Sequence, residues 1–136
     1  MLVYEGTKEL FLNSVVNGTI DDEIYEAYQE KIGRTTKKEI ASWTNSMKDM
    51  YLVLETKDIP DEAGIAIEFR IPSTSKRVDF MISGKSDEGK SSVIIIELKQ
   101  WSEVELVSDK DGIIKTPLGR GFHETIHPSL SSLVVL

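Results

Sequence analysis

The chain has 136 residues, 40% hydrophobic and 29% charged, with no cysteine and a net charge of −7. That length suits one domain with a modest core, the lack of cysteine excludes disulfides and thiolate metal sites, and the acidic balance excludes a strong free-standing nucleic-acid binder, because Lys and Arg neutralising phosphates supply such affinity. No apolar run reaches the roughly 18 residues of a membrane span, and Glu5, Lys8 and Glu9 interrupt any leader pattern, so a soluble cytoplasmic protein without membrane contact is expected.

In chain order, Thr7 is placed to cap a short helix carrying Leu10, Phe11, Val15 and Val16, with Gly18 to stop it. Asp21 or Asp22 opens a second helix, with Ile24, Tyr25, Tyr28 and Ile32 at helical spacing and Gly33 past its end. The cations Lys31, Arg34, Lys37 and Lys38 follow with no acid among them. They are candidates for a phosphate contact, with a solvated loop as the alternative. Thr36 and Glu39 form a capping box for the longest helix, which runs to about Glu55. Ile40, Trp43, Met47, Tyr51 and Leu54 give it an apolar face, and Asn45 and Ser46 lie off that face.

Past the turn at Pro60–Gly64, Ile65–Ile71 reads as a strand, and Pro72–Ser75 turns it back into a second strand, Val78–Ser83. The polar loop GKSDEGKSS leads to a third, Val93–Leu98. A small hairpin follows, Glu103–Val107 with Ile113–Thr116 around the turn Asp109–Gly112. Pro117, Gly119 and Gly121 then predict an irregular loop. His123 and His127 have the i, i+4 spacing of helical metal ligands, but no H-E-x-x-H context supports zinc, so they read as polar loop residues.

Each of two neighbouring strands carries one carboxylate, Asp79 and Glu97, and Lys99 follows Glu97 on the same face. Setting Asp79 opposite Glu97 pairs Met81 with Ile95 and Arg77 with Lys99. Like charges directly opposite destabilise a sheet by up to about 1 kcal/mol. A divalent cation bound by hard oxygen ligands, Mg²⁺ or Mn²⁺, would offset that cost. An ordinary charge cluster, neutralised by Arg77 and Lys99, is the alternative. A tight turn at Ser73-Thr74 puts Glu68 opposite Asp79, although a one-residue slip would turn it to the other face.

The pattern D…E-L-K, with an apolar run leading into E-x-K, resembles the signature of the PD-(D/E)XK nuclease superfamily. More closely, SKRVDFMISG followed by VIIIELKQW, together with IYEAYQEKIGR, SWTNSM and the H-P-S stretch, is similar to the N-terminal nuclease-like module of a family of bacterial superfamily-1 helicases. The resemblance implies an α/β (α+β) fold with a restriction-endonuclease-like core. In it, N-terminal helices (1–58) pack on a mostly antiparallel sheet of three main strands plus a small hairpin (64–116), and 117–136 form a loop and the start of a shortened helix. All of 1–136 would be one nuclease-like domain, C-terminally incomplete. It further implies a Mg²⁺- or Mn²⁺-dependent hydrolase of DNA, with RNA as the other substrate. Asp79 and Glu97 would be metal ligands, Lys99 the catalytic cation, and Glu68 and Gln100 supporting groups. Arg77, Lys76, Lys31, Arg34, Lys37 and Lys38 would be weak nucleic-acid contacts. A helicase motor or partner chain would cover the C-terminal edge. The family pattern has aromatic and Gln residues after H-P-S where this chain has Leu130 and Ser131. The alternative is a catalytically weak or inactive nucleic-acid-binding or coupling module of the same fold. An apolar patch beside the third strand, near Ile94 and Ile96, is expected because Val93–Leu98 carries apolar residues at consecutive positions while the N-terminal helices can cover one face.

Overall fold

A computed structural model of the chain describes residues 3–74, 76–99, 103–118 and 120–126. The first strand, β1 (Tyr4–Thr7), runs directly into α1 (Lys8–Val16), followed by α2 (Ile20–Lys31) and α3 (Lys37–Leu54). The helix starts follow side-chain chemistry. Thr7 Oγ1 accepts the Leu10 N–H at 3.2 Å, and Thr36 Oγ1 accepts the Glu39 N–H at 3.2 Å, each satisfying a donor that the first helical turn leaves open. The reciprocal half of the expected capping box is replaced: the Glu39 carboxylate accepts the Thr35 hydroxyl at 2.7 Å. The second helix begins at Ile20, ahead of Asp21, with the Thr19 hydroxyl bonded to the Glu23 carboxylate at 2.7 Å. Glu23 also accepts the Ser14 hydroxyl at 3.2 Å, which joins α2 to α1.

After α3 the chain forms β2 (Gly64–Arg70), β3 (Arg77–Lys85) and β4 (Ser91–Ile96). These pair antiparallel in the order β1-β2-β3-β4, giving four strands where three were expected. Four residues at β1 are too few to carry a periodic signal, and the strand exists because Tyr4 and Gly6 find Ile67 and Ile65 across the ladder. A second antiparallel sheet has the order β5-β6-β7, from Glu105–Leu106, Ile113–Pro117 and Phe122–Ile126. The expected irregular loop is instead the turn between β6 and β7. Leu118 N–H donates to the Gly121 carbonyl at 3.1 Å, and Gly121 at φ 89° takes a conformation open to glycine. The apolar tail Leu130–Leu136 lies outside the described residues.

The core lies between the helices and one face of the first sheet. Phe11 packs edge-on to Phe80, ring centroids 5.4 Å apart, with Ile24, Met47, Leu54, Ile65 and Ile67 buried around them. Burial of each such side chain is worth about 1.5–3 kcal/mol. On α3 the buried stripe is Trp43, Met47, Met50 and Leu54. Tyr51 is only partly covered, because its hydroxyl turns outward to the Glu55 carboxylate at 3.2 Å. Lys8 is buried: its amine donates to the Thr56 and Ile59 carbonyls at 2.5 and 2.7 Å and lies 3.4 Å from Asp61. That amine fastens the α3–β2 connection to the start of α1. On the sheet face away from the helices, Ala66, Met81, Val93 and Ile95 are only partly buried; on the core-facing side Ile94, level with buried Ile82, is half exposed at the β4 edge, whereas Ile96 packs against the core. Among the described residues no helix is long and apolar enough to cross a membrane.

Candidate active site

The β3–β4 register sets the site. Phe80 pairs with Ile96 and Met81 with Ile95, which is the expected alignment, and continuing it by one pair brings Asp79 level with Glu97. The ladder stops there for a local reason. Asp79 Oδ2 accepts the Leu98 N–H at 2.8 Å, so a side chain takes a backbone donor at the point where β4 ends. Asp79 borders two spaces. One is a groove of about 280 Å³ that it shares with Lys76, Arg77, Ile95 and Glu97. The other is a pocket of about 160 Å³ beneath α3, shared with Glu39, Trp43, Ser46, Glu68 and Leu98.

Burial pushes the Asp79 carboxyl above its ordinary value, and the field of Glu97 pushes it the same way. The Leu98 amide, Lys99 and Arg77 pull it down without cancelling the rise. Lys99 follows Glu97 by two residues, and its amine bonds the Glu97 carboxylate Oε1. Both side chains stay about one-third exposed, so the pair is screened by solvent.

Glu68 is level with Asp79, since Ile67 pairs with Phe80 and Phe69 with Val78 on either side of it. Its backbone has φ 53°, which L side chains rarely adopt and which costs about 1–3 kcal/mol. Its carboxylate accepts from Arg77 Nη1 at 3.1 Å and from the Trp43 indole N–H. Burial raises the Glu68 carboxyl above its ordinary value. Arg77 lowers it, Asp79 and Glu39 raise it further, and the Trp43 bond lowers it again. Glu68 and Glu97 therefore flank Asp79 in different spaces and do not converge with it on one point. Among the described residues no group of three His, Asp or Glu side chains is arranged to hold a metal ion.

Arg77 is engaged with acids and a phenol. It bonds Glu68, donates to the Tyr28 hydroxyl at 3.2 Å and lies 3.9 Å from Glu39. Lys76 is exposed beside the groove. Of the other expected phosphate contacts, Arg34, Lys37 and Lys38 are exposed at the start of α3, whereas the Lys31 amine reaches the Val3 carbonyl at 3.4 Å, toward β1. His123 lies on β7 and not in the expected loop. Its ring meets the Arg120 carbonyl at 3.1 Å. Gln100 and His127 lie outside the described residues.

Sequence reasoning missed Glu39 and Tyr28 as members of the site, and treated Trp43 as core alone. A signal was present: Glu39, Trp43 and Ser46 recur at four- and three-residue steps and so share one stripe of α3. Ser46 is buried against the pocket, while Asn45 beside it is exposed.

No family model, curated protein or solved structure matches the chain.

Proposed function

We propose that this chain is a metal-dependent phosphodiesterase module acting on DNA. The observation that carries this reading is the half-buried Asp79 carboxylate, fixed by the Leu98 amide and lying within the field of Glu97 and Lys99. The donor chemistry fits a hard divalent cation. Two carboxylates on adjoining strand positions would supply oxygen, and the Leu98 carbonyl and waters would complete the shell, as Mg²⁺ prefers. Asp79 and Glu97 would hold the ion, which when bound supplies charge neutralisation at the scissile phosphate and acidifies a water. Lys99 would release Glu97, orient the attacking water and offset charge developing on the phosphate oxygens. Lys76 in the adjoining groove would meet the backbone of the substrate. With a net charge of −7, the chain's own hold on DNA is weak and salt-sensitive, and a linked motor or partner would deliver the strand.

A second reading is a coupling module of the same fold that binds nucleic acid without turnover. The closed Lys99–Glu97 ion pair favours it, since that pair holds both groups without a cation. Cleavage of plasmid and single-stranded DNA in Mg²⁺ or Mn²⁺, by the wild type and by Lys99→Ala, separates the two. Metal-dependent cleavage that Lys99→Ala abolishes supports the nuclease. DNA binding without cleavage in either metal supports the coupling module.

A further inference from the structure

Resting on the metal-site reading above, we propose that Arg77 is a positioning residue that keeps Glu68 aimed into the pocket beside Asp79. From β3 its guanidinium reaches β2 through Glu68, α2 through the Tyr28 hydroxyl and α3 through Glu39. One side chain thus fixes the relative placement of three other elements at the rim of the pocket. Glu68 needs such fixing. Its left-handed backbone persists only where surrounding contacts determine it, and those contacts are Arg77 and the Trp43 indole N–H. All three contacts fall on one terminal nitrogen, Nη1, held out by the rigid guanidinium plane, a placement that the shorter, freely rotating lysine amine does not reproduce.

Charge balance and positioning make opposite forecasts. Arg77 is a cation two residues from Asp79 and lines the groove that Asp79 shares with Glu97. If it only balanced charge, its removal would strengthen cation binding, because a repelling neighbour is gone. If it positions Glu68, which flanks Asp79 without joining it as a ligand, its removal lets that negative charge leave the pocket as well, and binding does not strengthen.

The experiment compares the wild type with Arg77→Gln and with the charge-preserving Arg77→Lys. Arg77 is exposed, so both variants keep the core, which far-ultraviolet circular dichroism checks. The first readout needs no metal: the indole N–H resonance of Trp43 in ¹⁵N-labelled protein, made unambiguous by Trp101→Phe. It is expected to shift in both variants, because the Glu68 acceptor moves. The second is Mn²⁺ affinity by calorimetry, expected not to rise in Arg77→Gln and to fall in Arg77→Lys, which keeps the repelling charge while Glu68 leaves the pocket. An unmoved Trp43 resonance in Arg77→Gln overturns the proposal, as does tighter Mn²⁺ binding by that variant. Absence of Mn²⁺ binding by the wild type sinks the metal-site reading, and the Trp43 resonance then decides the positioning role by itself.

Discussion

The Asp79 carboxylate and the Leu98 amide are joined by a 2.8 Å hydrogen bond at the point where β4 ends. The bond gives a buried acid one fixed donor and leaves its second oxygen free of that duty. The same acid still lies above its ordinary value, chiefly through burial and secondarily through Glu97. The site is therefore held at a cost to the fold.

Asp79→Asn should remove that cost while retaining an oxygen to accept from Leu98. The variant is expected to melt a few degrees higher than the wild type without metal, as a gain of about 1 kcal/mol implies for a domain of this size. Mg²⁺ or Mn²⁺ bound at the proposed site should raise the wild-type melting temperature by mass action, and the variant should lose that rise. Thermal denaturation with and without metal measures both, and an equal metal response in the variant would place the ion elsewhere.

The raised carboxyls give a pH dependence of definite sign. Asp79 and Glu68 both hold protons more tightly folded than unfolded, so the folded state carries more protons between their ordinary and raised values. Stability rises with pH only where the unfolded state binds more protons. Their contribution is thus fully present below the ordinary carboxylate values of 3.8 and 4.5 and is lost as pH rises through the raised ones. Melting curves over this range should show the loss in the wild type and flatten in an Asp79→Asn, Glu68→Gln double variant. The same slope in both proteins would refute the assignment.

Backbone strain at Glu68 reverses an ordinary ranking. In a regular strand glycine is worse than alanine. At φ 53° alanine keeps the left-handed penalty, about 1–2 kcal/mol for an L residue, and glycine does not. Both substitutions lose the Arg77 and Trp43 contacts equally. Glu68→Gly should therefore be more stable than Glu68→Ala by about 1 kcal/mol in urea unfolding, and the usual order would show that the backbone is relaxed.

Lys8 offers a test away from the site. Lys8→Met retains the aliphatic stem but leaves the Thr56 and Ile59 carbonyls without their buried donor. Unfolding is expected to be easier by about 2–6 kcal/mol, at about 1–3 for each of the two deprived groups. Asp61→Asn should cost less than about 1 kcal/mol, because Asp61 is 72% exposed. A Lys8→Met protein as stable as the wild type would show that solvent reaches those carbonyls.

What could be foreseen from sequence depended on how local the determining chemistry is. The start of α3 was legible because Thr36 carries its own cap, and the Met81–Ile95 register because apolar alternation in both strands admits few alignments. β1 was hidden, since Tyr4–Thr7 is defined by its partner in β2. β7 was masked by Gly121, whose conformation builds a turn where the residue type alone suggests a break. Strand alternation could place Glu68 level with Asp79 but carries no information about φ, so the turning of that carboxylate toward Trp43 and Arg77 was invisible. Glu39 was legible as a cap residue, and only the packing of α3 over the strand ends gives it a second neighbourhood beside Arg77.

Asp79 touches both the groove beside Glu97 and the pocket beneath α3, so the partition between them is one side chain thick. The 2.8 Å bond from the Leu98 amide is thus also what holds the boundary between the two spaces in place.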